Sequence, residues 1–253
     1  MDIWRNKQKI TFNDVDASGG ITPFALFNYF QDAAESHAEI IGVGREAMES
    51  RKQLWVLSRI SVFIEKRAKL DQEVLIQSWP RGFDRLFCVR DYTLADLSNN
   101  IIVRARSGWL VLDAEKHRPL RPQSLELSLP ENKNLDALPF LLPALAARDE
   151  LRKTSERTAL YSDIDFNAHV NNARYVQWIQ DISDADSLKN AHEIRIDINY
   201  LNEIKQNDIL DIFTAHIEQE KDALLADAGF ALAIEGRKRD NNEAAFRAEL
   251  RMN

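Results

Sequence analysis

One stretch in the second half of the chain carries side chains suited to acid–base chemistry. From residue 163 to residue 170, carboxylates, an amide and an imidazole alternate with apolar residues. In an extended segment successive side chains point to opposite sides, so we expect the polar members to share one edge above an apolar strip. Such an edge can bind and activate reactants. The polar members are Asp163, Asp165, Asn167 and His169.

A helix is predicted directly after this edge. Asn171 or Asn172 is a suitable N-cap, and residues 173–182 follow as the helix. Free backbone N–H groups at a helix N-terminus stabilise a developing anion. The alternative is a surface loop that only caps a helix, and the spacing of aspartate, asparagine and histidine taken alone favours that interpretation. Two further features, an internal repeat and a family resemblance, favour a reacting edge.

The composition is that of an ordinary globular protein and argues against several classes of function. The 253 residues are 45% hydrophobic and 29% charged, and the net charge of −7 argues against nucleic-acid binding. No apolar run is long enough to span a bilayer, and the N-terminus lacks the apolar core of a signal peptide. The lone Cys88 excludes an internal disulfide, and the histidines have no metal-ligand spacing. We therefore expect a cytoplasmic protein without a metal or other cofactor.

The elements that must position the edge occur twice in the same order. The first half predicts a strand at 7–15, a helix at 23–41, and strands at 55–65, 73–80, 86–95 and 101–112. The second half predicts a strand at 152–161, then the polar edge, a helix to about residue 184, and strands at 193–200, 208–218, 222–239 and 243–252. The chain therefore reads as two copies of one unit.

The two copies align around the start of the helix, and the alignment shows which polar side chains occur in only one copy. Asp16 falls on Asp165, but Ser18 falls opposite Asn167 and Gly20 opposite His169. Aligning Glu73 with Asp208 in the following strand places Ala68 opposite a second acid, Glu203. The candidate chemical groups thus occur only in the second copy. We interpret this as a duplicated domain in which one copy is kept for catalysis and the other is free to bind something.

A long apolar helix wrapped by an antiparallel sheet, occurring twice, is the layout of an α+β tandem (double) hotdog fold. We expect two antiparallel sheets, each wrapped around a long central helix. The predicted domains are 1–116, an N-terminal hotdog, and 151–253, a C-terminal hotdog that carries the polar edge. Five of the seven prolines fall in the segment between them, 117–150, which we interpret as a connector with a short helix near 144–150.

The sequence resembles the acyl-acyl carrier protein thioesterases of plants and bacteria, a tandem-hotdog family, over nearly its whole length. The second-half signature is DFNAHVNNARY at 165–175, continued by NYLNE at 199–203. The first-half signature comprises WVLSR at 55–59, SWPRG at 78–82, RDY at 90–92 and RARSGWLVLD at 104–113. The core motif of the second half also occurs in single hotdog thioesterases, but the combined set in this order is specific.

The resemblance implies that the chain hydrolyses the thioester of a fatty acyl group on the phosphopantetheine arm of acyl carrier protein. It implies Asp165, Asn167, His169 and Glu203 as the catalytic residues. It also implies a substrate-binding role for Asn171, Asn172 and Tyr175, and acyl-chain binding in the N-terminal hotdog. Many plant members have a cysteine directly after the acid, whereas this chain has Ile204. We therefore expect a mechanism based on a carboxylate, with either Asp165 or Glu203 activating water or attacking directly.

Three alternatives to this assignment stay open. An acyl-CoA thioesterase of the same fold would use the same groups. A non-catalytic acyl-binding protein is disfavoured because the four catalytic positions are intact. A hotdog dehydratase would need a different arrangement of histidine and acid. The partners expected are acyl carrier protein and no nucleic acid or membrane span, and a homodimer of the tandem unit is compatible with the sequence.

Overall fold

The computed structural model describes residues 2–125, 127–218, 224–225 and 229–253. Within them the chain forms ten β-strands and four α-helices. The first half holds β1 (Trp4–Lys9), α1 (Pro23–Ile40), α2 (Arg45–Ser50), β2 (Gln53–Ile64), β3 (Glu73–Asp84), β4 (Phe87–Asp96) and β5 (Ile101–Asp113). The second half holds β6 (Arg152–Thr158), α3 (Asn172–Ile182), α4 (Ala185–Asn190), β7 (Ile194–Tyr200), β8 (Ile209–His216), β9 (Phe230–Lys238) and β10 (Ala244–Met252).

All ten strands belong to one antiparallel sheet, in the order β1-β3-β4-β5-β2-β7-β10-β9-β8-β6. The first five strands come from the N-terminal half and the last five from the C-terminal half. The two halves join along β2 and β7, where Ile60 lies opposite Ile198 and Val62 opposite Ile196. The two predicted sheets therefore share an edge, and the predicted double hotdog fold is confirmed.

Helices α1 and α3 contact each other and pack over one face of the sheet. Thr22 caps α1 by accepting a hydrogen bond from the Ala25 N–H, and Pro23 occupies the first helical position, where no N–H is needed. Leu26 and Phe30 of α1 are fully buried, and the Phe30 ring lies 5.0 Å from that of Tyr92 on β4. The main core therefore lies between the two long helices and this face of the sheet.

The connector covers part of the other face of the sheet. Under it, Arg106 binds both carboxylate oxygens of Asp91, at 2.7 and 2.8 Å, and both side chains are almost completely buried. The N–H of Ala137 donates to Asp91 at 2.7 Å, and Arg106 donates to the carbonyl of Phe140 at 2.7 Å. The sheet thus supplies the hydrogen-bond partners that the irregular connector backbone needs.

The predicted helix near 144–150 is wrong, because the backbone there bonds to the sheet. The Leu145 N–H donates to the Asn199 side chain at 2.9 Å, and its carbonyl accepts from Arg247 at 3.3 Å. Asn199 also donates to the carbonyl of Pro143 at 3.1 Å. These bonds use the backbone groups that a helix would need.

Several boundaries differ from the sequence predictions. The first strand ends at Lys9, after which Phe12–Asp14 forms a 3₁₀ turn, and the short helices α2 and α4 were not predicted. The strand predicted at 222–239 is observed from Phe230 onward, and part of its predicted start lies outside the described residues. Of the helices described, none combines the length and the apolar character needed to cross a lipid bilayer.

Candidate active site

The predicted extended edge at 163–170 is a folded loop instead. Residues Tyr161–Asp163 form a 3₁₀ turn, and Ile164 pairs with Val170 to close a tight turn between them. Ala168 adopts a left-handed conformation, with φ of 62°. Phe166 is 80% exposed, so it does not belong to an apolar strip behind the loop.

Aspartate side chains cause this departure from the extended form. The carboxylate of Asp163 accepts from the Leu160 N–H, and that of Asp165 accepts from the Asn167 N–H, both at 2.8 Å. Aspartate commonly folds a turn in this way by binding a nearby backbone N–H. Alternation of polar and apolar residues suggested a strand, whereas these local hydrogen bonds decide the conformation.

The loop brings His169 and Glu203 together. The Nε2 atom of His169 lies 3.0 Å from a carboxylate oxygen of Glu203, and both side chains are partly exposed. The N–H of Val170 donates to the carbonyl of Ile204 at 2.8 Å, which fixes the loop against the segment that carries Glu203. An imidazole paired with a carboxylate at a partly open position can accept and return a proton.

Asp165 and Asn167 lie on the same turn as His169. The Asp165 N–H donates to the carbonyl of His169 at 2.8 Å, so the two residues face each other across the turn. One carboxylate oxygen of Asp165 is engaged by the Asn167 N–H, and the Asn167 side chain is exposed. The four predicted catalytic residues are therefore all carried by this loop and the adjoining segment.

Helix α3 begins immediately after the loop. Asn171 is its N-cap and accepts from the Ala173 N–H at 2.9 Å, while the Arg174 N–H donates to the Asn171 carbonyl. The N–H of Asn172, the first helical residue, has no hydrogen-bond partner among the residues that the structure describes. A free amide at the positive end of a helix is suited to stabilising an oxyanion.

Tyr175 lies one turn further along α3 and is 3% exposed. Its ring packs edge-on against Tyr200 and Phe246. Burial raises the pKa of the Tyr175 phenol, and the negative charges of Glu203 and Asp165 raise it further. Tyr175 therefore lies in the core, near enough to these two acidic groups to feel their charge.

A narrow cleft runs from the start of α3 into the interior of the N-terminal half. Its walls come from α1, three strands of the first half and the first turn of α3: Phe27, Phe30, Gln31, Leu57, Ile60, Tyr92, Ser107, Trp109, Asn172 and Ala173. The first turn of α3, which follows the loop of the second copy, thus lines a cleft in the first copy.

Gln31 is a polar residue of this cleft to which the sequence analysis gave no role. The repeat alignment places it on Gln180, and Gln180 accepts a hydrogen bond of 2.6 Å from the Phe24 N–H at the start of α1. Gln31 lines the cleft together with Asn172 and Ala173, at the start of the other long helix. The equivalence of Gln31 and Gln180 in the repeat is the signal in the sequence that could have pointed to this residue.

The structure corrects the alignment of Glu203 by one residue. The Ile21 N–H donates to the Ala68 carbonyl just as the Val170 N–H donates to the Ile204 carbonyl, both at 2.8 Å. Ala68 is therefore equivalent to Ile204, and Arg67 rather than Ala68 lies opposite Glu203. Shifting the alignment of an extended segment by one residue moves every side chain to the opposite face. The apolar pattern alone did not decide between the two alignments.

In the first copy Arg67 closes the equivalent loop. This guanidinium is 8% exposed, forms an ion pair with Asp16, and donates to the carbonyls of Gly20 and Ile21 at 2.8 and 3.0 Å. A Cβ atom on Gly20 would lie 2.8 Å from the Arg67 Nε atom, so the close approach requires glycine. The first helical position is Pro23, which has no N–H. The first copy thus lacks a counterpart of the imidazole, of the Glu203 carboxylate and of the free amide.

Within the described residues, no three His, Cys, Asp or Glu side chains form a group that could hold a metal ion. Cys88 is buried in β4, and burial raises the pKa of its thiol to about 12. A thiol with this pKa is protonated at neutral pH and is a poor nucleophile.

Sequence and structure comparisons place these features in a family. Residues 1–124 match the family model of the acyl-ACP thioesterase N-terminal domain, and residues 147–248 match that of the C-terminal domain. The chain is 26% identical, over 90% of its length, to oleoyl-acyl carrier protein thioesterase 2 of Arabidopsis thaliana. It is 23% identical, over 84% of its length, to a palmitoyl-acyl carrier protein thioesterase of Cuphea hookeriana. It spans 66% and 54% of the lengths of these two relatives.

Two solved structures have the same fold. An acyl-ACP thioesterase from Bacteroides thetaiotaomicron superposes with a TM-score of 0.85 at 23% identity, covering 99% of this chain and 98% of the other. A 12:0-ACP thioesterase from Umbellularia californica superposes with a TM-score of 0.76 at 20% identity, covering 99% and 94%. The two family models together cover most of the sequence in the order of the two hotdog units, and the chain therefore belongs to the acyl-ACP thioesterase family.

Proposed function

We propose that the protein hydrolyses the thioester between a fatty acyl chain and acyl carrier protein, which releases a free fatty acid and ends chain elongation. The observation that carries the proposal is the 3.0 Å contact between His169 and Glu203, three residues before the free amide of Asn172, which lines a cleft. The names of the curated relatives, which are thioesterases of acyl carrier protein, support the choice of substrate.

Hydrolysis adds water across the C–S bond and needs a base, an oxyanion donor and a proton for the leaving thiol. In the proposed scheme Glu203 orients His169, which takes a proton from the attacking water. The Asn172 N–H donates to the oxyanion. The proton on His169 then passes to the departing sulfur, so that the products are a carboxylic acid and a thiol.

Asp165 and Asn167 complete the proposed set. Asp165 is the alternative base, and its bond to the Asn167 N–H leaves its second carboxylate oxygen for water. The exposed Asn167 amide is placed to bind the thioester carbonyl or its pantetheine arm. Asn171 holds the first turn of α3 in place by accepting from the Ala173 N–H, and the Tyr175 ring packs against Phe246 in the core.

The two halves have different proposed roles. Residues 1–116 bind the acyl chain, residues 117–150 connect the halves, and residues 151–253 carry out the chemistry. The apolar cleft wall contributed by Phe27, Phe30 and Ile60 supports this division. A cytoplasmic location and a further homodimer of the tandem unit belong to the same proposal.

The test uses the whole chain with matched thioesters of one fatty acid on acyl carrier protein and on coenzyme A. We expect fatty acid release with a clearly higher kcat/KM for the carrier-protein substrate. A higher value for the coenzyme A thioester would identify an acyl-CoA thioesterase instead. Binding of the acyl chain without release from either substrate would identify a non-catalytic acyl-binding protein.

A further inference from the structure

Gln31, on α1, is a polar residue of the cleft whose side chain is not used by the fold. It is half-buried and lies one turn after the buried Phe27. Its side-chain amide forms no hydrogen bond with the residues that the structure describes. By contrast, the cleft residues Tyr92, Ser107 and Trp109 hydrogen-bond to one another. A partly buried polar group costs free energy unless it is bonded, so the unbonded amide of Gln31 needs an explanation.

The second copy shows what a glutamine at this position of the fold does when it has a structural task. Gln180, the counterpart of Gln31, accepts a hydrogen bond of 2.6 Å from the Phe24 N–H in the first turn of α1. The residue of α3 equivalent to Phe24 is Ala173, whose N–H is already bonded to the Asn171 side chain at 2.9 Å. The Asn171 cap therefore leaves Gln31 without the structural task that Gln180 has.

The first positions of the two helices differ in the same sense. The first residue of α1 is Pro23, which has no N–H. The first residue of α3 is Asn172, whose N–H has no partner among the described residues. Gln31 and Asn172 line the same cleft. An unbonded side-chain amide and a free backbone donor thus lie together at the start of α3, whereas at the start of α1 the proline has no donor and Gln180 is already bonded.

We propose that Gln31 is a further catalytic residue, contributed by the first copy, whose Nε2 donates to the thioester oxygen together with the Asn172 N–H. This inference rests on the proposed function and adds a second donor to its oxyanion site. When water attacks, the carbonyl carbon becomes tetrahedral and negative charge moves onto the oxygen. Two donors fixed beforehand stabilise that charge more than they stabilise the neutral carbonyl. Both donors keep their protons, so the proton transfers of the proposed scheme are unchanged.

The experiment compares four whole-chain proteins: wild type, Gln31→Met, Gln31→Glu and Gln180→Met. Fatty acid release is measured on palmitoyl or oleoyl acyl carrier protein, whichever wild type hydrolyses faster. Methionine keeps the length of the Gln31 side chain and removes its amide. An ionised glutamate keeps the shape and the acceptor oxygen but cannot donate. Gln180→Met is the matched control, because it makes the same substitution at the equivalent position, where the glutamine caps α1. Should Gln31→Met not fold, Gln31→Leu replaces it.

The expected effect is a loss of turnover rather than of binding. For Gln31→Met we expect kcat to fall about 100-fold while KM stays within about threefold of wild type, because the donor acts on charge that develops in the transition state. Gln31→Glu should lose at least as much. Both should keep the circular dichroism spectrum of wild type. Gln180→Met should melt at a lower temperature and keep kcat within about threefold of wild type.

Four results would overturn the second donor and leave the proposed function intact. The first is a folded Gln31→Met protein with kcat within about threefold of wild type. The second is a raised KM at unchanged kcat, which would identify binding of the ground state only. The third is near-wild-type kcat in Gln31→Glu, since a carboxylate could only accept from the attacking water. The fourth is an equal loss of kcat in Gln180→Met, which would show a structural role for both glutamines. Absence of release from every thioester by wild type overturns the proposed function, and the second donor with it.

Discussion

The loops before α1 and α3 have nearly the same backbone but opposite chemistry. In the first copy Arg67 lies over Gly20 and pairs with Asp16 inside the loop. In the second copy Glu203 takes the place of Arg67 and meets His169 at a partly open position. The hydrogen bonds that tie each loop to the next segment are the same in both copies, at 2.8 Å.

The difference shows that the backbone of the loop is independent of its chemistry. The first copy is closed by an internal ion pair and has proline where the second has the free amide of Asn172. In the second copy His169 and Glu203 pair with each other at a partly exposed position, and the Asn172 N–H has no partner among the described residues. The fold thus occurs twice, whereas the side chains of the two loops differ.

The largest difference between the loops should appear in turnover when the acid of the second copy is neutralised. We expect Glu203→Gln to lower kcat/KM for an acyl carrier protein thioester by at least about 100-fold, because His169 loses its charged partner. Steady-state fatty acid release measures the effect. Glu35→Gln, on the exposed side of α1, is the control and should behave as wild type. Near-full activity of Glu203→Gln would leave Asp165 as the base.

The corresponding change in the first copy should affect stability rather than turnover. Arg67→Met removes one partner of a largely buried ion pair, and we expect the free energy of unfolding to fall by about 2 kcal/mol. Urea unfolding followed by circular dichroism measures the loss. The kcat/KM should stay within about threefold of wild type. A large loss of turnover in a folded Arg67→Met protein would mean that the first loop also takes part in the reaction.

A smaller loss of stability is expected at the N-terminus of α1, where Gln180 accepts a backbone hydrogen bond. Gln180→Ala removes the acceptor of the Phe24 N–H, so we expect the free energy of unfolding to fall by about 1 kcal/mol. Thermal unfolding measures it, with Gln123→Ala in the connector as a control. An unchanged melting temperature would show that water replaces the glutamine at the start of α1.

The smallest effect concerns the pH dependence of the closed loop. Burial acts to raise the pKa of Asp16, but hydrogen bonds from Ser18 and Arg67 outweigh it and hold the pKa below its usual 3.8. A group whose pKa is lowered in the folded state contributes stability above its unfolded pKa. This contribution is lost as the pH falls through the folded pKa. The stability difference between wild type and Asp16→Asn should therefore be constant near neutral pH and shrink below about pH 4. Urea unfolding across this pH range measures it, and a pH-independent difference would contradict the assignment.

The sequence was sufficient for elements governed by local signals. Helix α1 begins at Pro23 behind its Thr22 cap, as predicted, and α3 has Asn171 as its cap. Alternating apolar residues also identified the strands of both halves and hence the double hotdog. These features depend on neighbours in the sequence, so one sequence is enough to find them.

Features that depend on side-chain hydrogen bonds, whether to nearby or to distant residues, could not be predicted from the apolar pattern. The extended form expected at 163–170 fails because Asp163 and Asp165 bind backbone N–H groups. The helix expected near 144–150 fails because Asn199 and Arg247, far along the chain, bind its backbone. The equivalence of Arg67 and Glu203 could be established only from the backbone pairing in the structure, because two alignments that differ by one residue could not be distinguished from the sequence.

The most direct test of a single working loop is the kcat/KM of His169→Ala on an acyl carrier protein thioester, with the exposed His192→Ala as the matched control. We predict a loss of at least about 100-fold for His169→Ala, unchanged melting temperatures for both variants, and wild-type turnover for His192→Ala. Turnover of His169→Ala within about threefold of wild type would contradict the account, because no other imidazole lies in either loop.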